Sequence, residues 1–200
     1  NRNKFKYKKK IREIYEKDDK FPLLDLKHIH NFSCKISSII KSIVDPSIKP
    51  KSREGLIFIY TRFLWSGAIP LALALEHIGF EKYGNSNLLD YPEYKSSVKE
   101  TTCKRPPLGH DSRHKIEGKP FKRGKYIILS GDQRFSKNNS KELEVAINDN
   151  NVNGEEIKII IGTEVASEGI DLKYIREVHI MDPWRHLNKI EQIIGRGIRF

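Results

Sequence analysis

The sequence predicts an α/β domain built on a largely parallel sheet flanked by helices, and three observations point to it. Short, almost wholly apolar runs recur at GLIFIYT (Gly55 to Thr61), KYIILSG (Lys125 to Gly131), IKIIIGT (Ile157 to Thr163) and EVHIMD (Glu177 to Asp182). Runs of this length without polar alternation mark strands covered on both faces, as in parallel sheets. Stretches with helical spacing of apolar residues lie between them, which is the order of strand, crossover helix and strand. The polar residues with chemical potential follow directly after the strands, where a parallel sheet leaves loop amides and helix N-termini free for ligands.

Taken in order, residues 1–30 are dense in both signs of charge and poor in apolar side chains, and read as a basic extension or linker. From Asn31 the spacing of Phe32, Ile36, Ile39, Ile40, Ile43 and Val44 predicts an amphipathic helix with Ser33 as its N-cap, closed by Pro46 and Pro50. After the first strand, Pro70 can open a helix that buries Leu71, Leu75 and Ile78 and stops at Gly79. Residues from about 81 to 124 are rich in Asn, Ser, Lys, Pro and Gly and read as a polar insertion before the second strand. A short helix over Lys141 to Asn148 precedes the third strand, and HLNKIEQII (His186 to Ile194) forms the last. The expected organisation is an extension over 1–30 and one domain over 31–200 carrying the insertion.

Lys and Arg number 37 against 26 Asp and Glu, a formal net charge of +11. That field favours a polyanion, although a charge excess alone also fits a biased composition. The two cysteines, Cys34 and Cys103, provide no disulfide framework, which points to an intracellular protein. No apolar run reaches the roughly 18 residues of a membrane span, so no membrane partner is expected. The chain opens on Asn1 and closes on Phe200 just past a motif, so it is expected to be part of a longer protein.

The last of those motifs is QIIGRGIR, Gln192 to Arg199. Two arginines three apart on one helical turn can present guanidinium forks to phosphoryl oxygens, and the alternative reading is a basic helix end facing the helix dipole. The spacing resembles motif VI, QxxGRxxR, of superfamily 2 helicases. GTEVASEGIDL, Gly162 to Leu172, resembles their motif V, in the proper order and on the expected strand. GLIFIYTRF is similar to motif IV, and KYIILSGD to the strand and turn that follow it. The chain is thus similar to a C-terminal RecA-like lobe of that superfamily.

The resemblance implies half of an ATP-driven motor. Arg199 would be the arginine finger, Arg196 a second phosphate ligand, and Gln192, Gly169 and Asp171 would line the nucleotide cleft. Thr163 would touch the sugar-phosphate backbone, helped by loop groups near Thr61, Arg62, Ser130 and Gly131. ATP and Mg²⁺ would be held mainly by an N-terminal lobe of the same protein, because no GxxxxGK[ST] loop occurs here, and this lobe alone would be inactive. Glu168 and Gln192 stand where DEAD-box RNA helicases carry Arg and His, and the chain most resembles the transcription ATPases of large cytoplasmic DNA viruses. That family includes the small subunit of the poxvirus-type early transcription factor and nucleoside triphosphate phosphohydrolase I. It implies a duplex-tracking translocase, a DNA or RNA backbone as partner, contacts with a viral RNA polymerase or second transcription-factor subunit, and residence in virions and virus factories. The competing classes are a non-catalytic nucleic-acid-binding module, an RNA helicase, and a restriction or repair translocase.

Other residues invite weaker readings. Asp182 and Pro183 read as a turn ending the last strand, not as a metal-binding acid. Cys103, His110 and His114 lack a fourth zinc ligand, and no metal is expected. Trp184 could stack on a base but more simply belongs to the core, and Trp65 is either a loop contact or buried against the next helix.

Overall fold

The computed structural model describes Phe5, Leu24 and residues 28–44, 55–84, 86–89, 124–164 and 170–197. Five parallel strands form one sheet in the order β2-β3-β4-β1-β5, with β1 Leu56–Tyr60, β2 Glu81–Lys82, β3 Lys125–Leu129, β4 Ile159–Gly162 and β5 Ile175–Ile180. The expected α/β architecture is present. Four of the strands are the apolar runs; β2 is a polar two-residue edge strand lying inside the segment read as an insertion.

Alternation along the strands builds two apolar layers. Ile57, Ile59, Tyr126, Ile128, Ile159 and Ile161 face α1 (Cys34–Val44) and α2 (Ile69–His77). Leu56, Phe58, Tyr60, Ile127, Leu129 and Ile160 face the other way, toward Ala146 of α3 (Asn139–Ala146) and Ile193 of α4 (Leu187–Gly197). Each such side chain, fully buried, stabilises the fold by roughly 1.5–3 kcal/mol. Burial on both faces explains why the strands lack a polar alternation.

Ser33 caps α1 as expected: its hydroxyl accepts from the amide of Ile36 at 3.2 Å, satisfying one donor of the first turn. Phe32, counted with the apolar face, instead precedes the helix and is exposed, because the chain there is still leaving the short 3₁₀ turn Ile29–Asn31. α2 starts differently from the expectation that Pro70 opens it. A five-residue π-helical segment, Leu64–Ala68, runs straight into it, with Pro70 in the first turn. Gly67 makes this possible, since a Cβ there would stand 2.0 Å from Thr61 Oγ1. Gly79 ends the helix with φ +113°, a conformation that side chains rarely adopt.

Beyond α2, the buried Glu76 carboxylate accepts from the amides of Leu88 and Leu89 at 2.8 and 2.6 Å and from the Tyr126 hydroxyl at 2.6 Å. Burial nevertheless pushes this carboxyl above its ordinary value. Leu89 forms a bridge with Phe5, whose side chain packs with that of Leu24 on the first apolar layer. The rest of residues 1–27 and the segment 90–123, with Cys103, His110 and His114, lie outside the described residues.

Candidate functional site

The strands end level. Tyr60 of β1 is in register with Gly162 of β4 and Ile180 of β5, and Gly162 with Leu129 of β3. The loops after all four central and edge strands therefore emerge on one side of the sheet, because every strand runs the same way. One backbone bond past the register holds each exit together: Thr61 N to Gly162 O at 3.0 Å, Thr163 N to Leu129 O at 3.0 Å, and Met181 N to Tyr60 O at 2.8 Å.

The side chains at these exits divide into two kinds. Thr61 is fully buried, and its hydroxyl donates to Asp182 Oδ2 at 2.6 Å. Asp182 Oδ1 accepts from Lys35 Nζ at 3.0 Å, so one carboxylate ties the ends of β1 and β5 to α1. Burial pushes the Asp182 carboxyl up, but the bonds from Thr61 and Lys35 and the charges of Lys35 and Arg62 outweigh it and hold the group below its usual range. The strand-ending turn is there, and its acid also carries this junction. Ser130 is likewise buried, its hydroxyl 2.9 Å from that of Ser136, and Thr163 Oγ1 donates to Leu129 O at 3.2 Å. The hydroxyls of Thr61, Ser130 and Thr163, expected to meet a ligand, are thus turned into the protein and hold the loops.

Other groups face outward. Gly131 is exposed. Arg62 lays its guanidinium 4.0 Å over the Trp184 ring, and Lys189 of α4 places its ammonium 4.2 Å from the same ring. Trp184 is partly buried in the second apolar layer and donates its indole N–H to the Tyr60 hydroxyl at 2.8 Å, which fixes its plane. Two cations therefore lie against one anchored indole. Lys189 was missed in the sequence because only the fold brings Arg62 to the ring that Lys189 also touches.

Leu172 and Ile193 belong to the second apolar layer, while their neighbours Asp171 and Gln192 are exposed. Arg196 lies within the last turns of α4. Gly169, Glu168 and Arg199 lie outside the described residues. Among the described residues no group of three or more His, Cys, Asp or Glu could hold a metal ion, and no helix is long and apolar enough to cross a membrane.

Residues 113–200 match the helicase conserved C-terminal domain. Over these residues, somewhat under half of the chain, it is similar to that domain. The five-stranded parallel sheet with helices on both faces is consistent with a RecA-like α/β fold. Among curated proteins, the chain is 29% identical over 191 residues to a protein of Acanthamoeba polyphaga mimivirus named as an ATP-dependent RNA helicase, covering 87% of this chain and 16% of the relative. A second mimivirus protein so named is 27% identical over 178 residues, covering 88% of this chain and 24% of the relative. The termination factor NPH-I homolog of African swine fever virus is 26% identical over 177 residues, covering 84% of this chain and 23% of that protein. The chain thus spans between about a sixth and a quarter of the length of these relatives. No solved structure matches it.

Proposed function

We propose that this chain is the C-terminal RecA-like lobe of a nucleic-acid-dependent ATPase of viral-transcription type, in which the level strand-end loops meet a nucleic-acid backbone and α4 completes a split nucleotide site. The observation that carries the reading is that Arg62 and the exposed Gly131 follow parallel strands that end level, with Arg62 and Lys189 both against Trp184, in a chain whose residues 113–200 match a helicase domain. Thr61, Ser130 and Thr163 contribute by holding those loops, and the loop amides and cations make the contact. Such contacts read phosphates rather than bases, so binding is salt-sensitive and weakly sequence-dependent.

ATP, with Mg²⁺, would be bound mainly by an N-terminal lobe, and its hydrolysis would supply the free energy of movement. Toward it this chain would present Gln192 and Asp171 near the ribose and phosphates, Gly169 in the loop between, and Arg196 and Arg199 across the cleft, where an arginine finger is worth about 10³ to 10⁵ in rate. The name of the African swine fever virus relative, a termination factor, supports a place in viral transcription beside an RNA polymerase, and with it residence in virions and virus factories. The names of the mimivirus relatives favour a second reading, an RNA helicase.

One panel separates the two: ATP hydrolysis by the full-length protein with single-stranded DNA, duplex DNA or RNA. Stimulation by DNA above RNA supports the transcription ATPase, and stimulation by RNA alone supports the helicase. The 200-residue chain by itself should hydrolyse no ATP. Hydrolysis at a rate comparable with the full-length protein would overturn the split site.

A further inference from the structure

A different part of the same edge is built for an aromatic ligand. Trp65, in the π-helical segment after β1, is 54% exposed although it is among the largest apolar side chains of the chain. Its ring stands edge-on to Phe135, 5.3 Å between centroids and 87° between planes, and Phe135 is buried. The Arg134 guanidinium lies 5.2 Å from the Trp65 centroid and 5.7 Å from that of Phe135. Arg134 is held flat by a fork to Asp132, with Nη2 donating to Oδ2 at 2.6 Å and Nε to Oδ1 at 3.0 Å. The pairing holds the Asp132 carboxyl below its ordinary range.

The loop that carries this group is fixed from several sides. Ser130 and Ser136 share a hydrogen bond, Asn139 Nδ2 donates to Ser130 O at 2.7 Å, and the buried Lys82 ammonium donates to Phe135 O at 2.7 Å. An exposed indole and an exposed guanidinium plane are therefore presented in place before any ligand arrives, which lowers the ordering cost of binding.

We propose that Trp65 and Arg134, backed by Phe135, form a stacking platform for an unpaired nucleobase. The inference rests on the nucleic-acid reading above and goes beyond it: the backbone contacts at Arg62 and Lys189 are indifferent to strandedness, whereas the platform is not. Bases in a duplex have both faces covered by their neighbours, so a flat indole beside a cation is used only where a base is unstacked. The edge that was expected to follow a duplex thus holds at least one base out of it.

The test uses the 200-residue chain and fluorescein-labelled 20-mers at low salt: single-stranded thymidine, the same backbone without bases, and a blunt duplex. Binding is read by anisotropy. Trp65→Ala should weaken binding of the thymidine strand by about 5- to 140-fold, the range expected for loss of one stacked base. Binding of the abasic strand should not change. Trp65→Phe should restore most of the affinity, and Arg134→Ser should weaken the thymidine strand alone. Unchanged melting of each variant, as the exposure of both side chains predicts, keeps the comparison clean. Equal losses for thymidine and abasic strands, or an unchanged thymidine strand, would overturn the platform while leaving the backbone reading intact. If the wild-type chain bound none of the three probes, the backbone reading and the platform would fall together.

Discussion

The strand-end edge contains two populations of polar residues that look alike in sequence and behave oppositely in the fold. Thr61, Ser130, Thr163 and Asp182 are buried or nearly so, and their side chains are used within the protein. Arg62, Lys189, Arg134 and Trp65 stand a few residues away or across the fold, and offer charge and aromatic surface outward. Apart from Lys189 on α4, both kinds follow strands. A buried hydroxyl without a partner costs about 1–3 kcal/mol, so a small side chain at the mouth of a packed loop is drawn into the loop's own bonding, whereas a long cationic side chain can be anchored by its stem and still reach water. The residues of this edge therefore split into those whose side chains hold it together and those whose side chains reach its surface.

The comparison can be broken by substitution. Asp182→Ala removes the acceptor of the buried Thr61 hydroxyl and of Lys35, and should destabilise the fold by about 2–3 kcal/mol in chemical denaturation. Gly67→Ala drives a methyl group against Thr61 and should cost about 1–3 kcal/mol by the same measurement. Neither change should alter nucleic-acid affinity of the molecules that remain folded. A loss of affinity greater than the loss of folded protein would place the buried set in contact with ligand.

A pH titration sharpens the same point. The Asp182 carboxyl is held below its ordinary value in the folded state, so its contribution is complete above the unfolded value and is lost as pH falls through the folded one. Stability of the wild-type chain should decline on the acid side more steeply than that of Asp182→Asn; parallel curves would contradict the junction. The smallest change in stability is expected from Arg62→Ala, within about 0.5 kcal/mol, yet it should weaken nucleic-acid binding and reduce the salt slope by about one. An unchanged slope would remove Arg62 from the phosphate contacts.

How far the sequence could be read follows from the same physics. β1, β3, β4 and β5 were legible because both faces are covered, leaving runs with few polar interruptions, and Ser33 was legible as a cap because helix N-termini demand an acceptor. β2 was hidden: two polar residues at a sheet edge carry no periodic signal. The π-helical start of α2 was hidden because it depends on how closely Gly67 approaches Thr61, a contact between residues that sequence spacing does not describe. The inward turn of Ser130 depends on Ser136, and the shared contact of Arg62 and Lys189 with Trp184 depends on the end of β1 reaching the start of α4. Motif spacing located the edge; only the packing sorted its residues into buried supports and surface groups.

In the proposed motor this lobe completes an ATP site that a second lobe of the full-length protein begins. The most direct test is nucleic-acid-stimulated ATP hydrolysis by full-length Arg199→Ala, measured beside ATP binding. The expected result is a rate lower by about 10³-fold or more with ATP binding retained. A rate equal to that of the unaltered protein would contradict the claim.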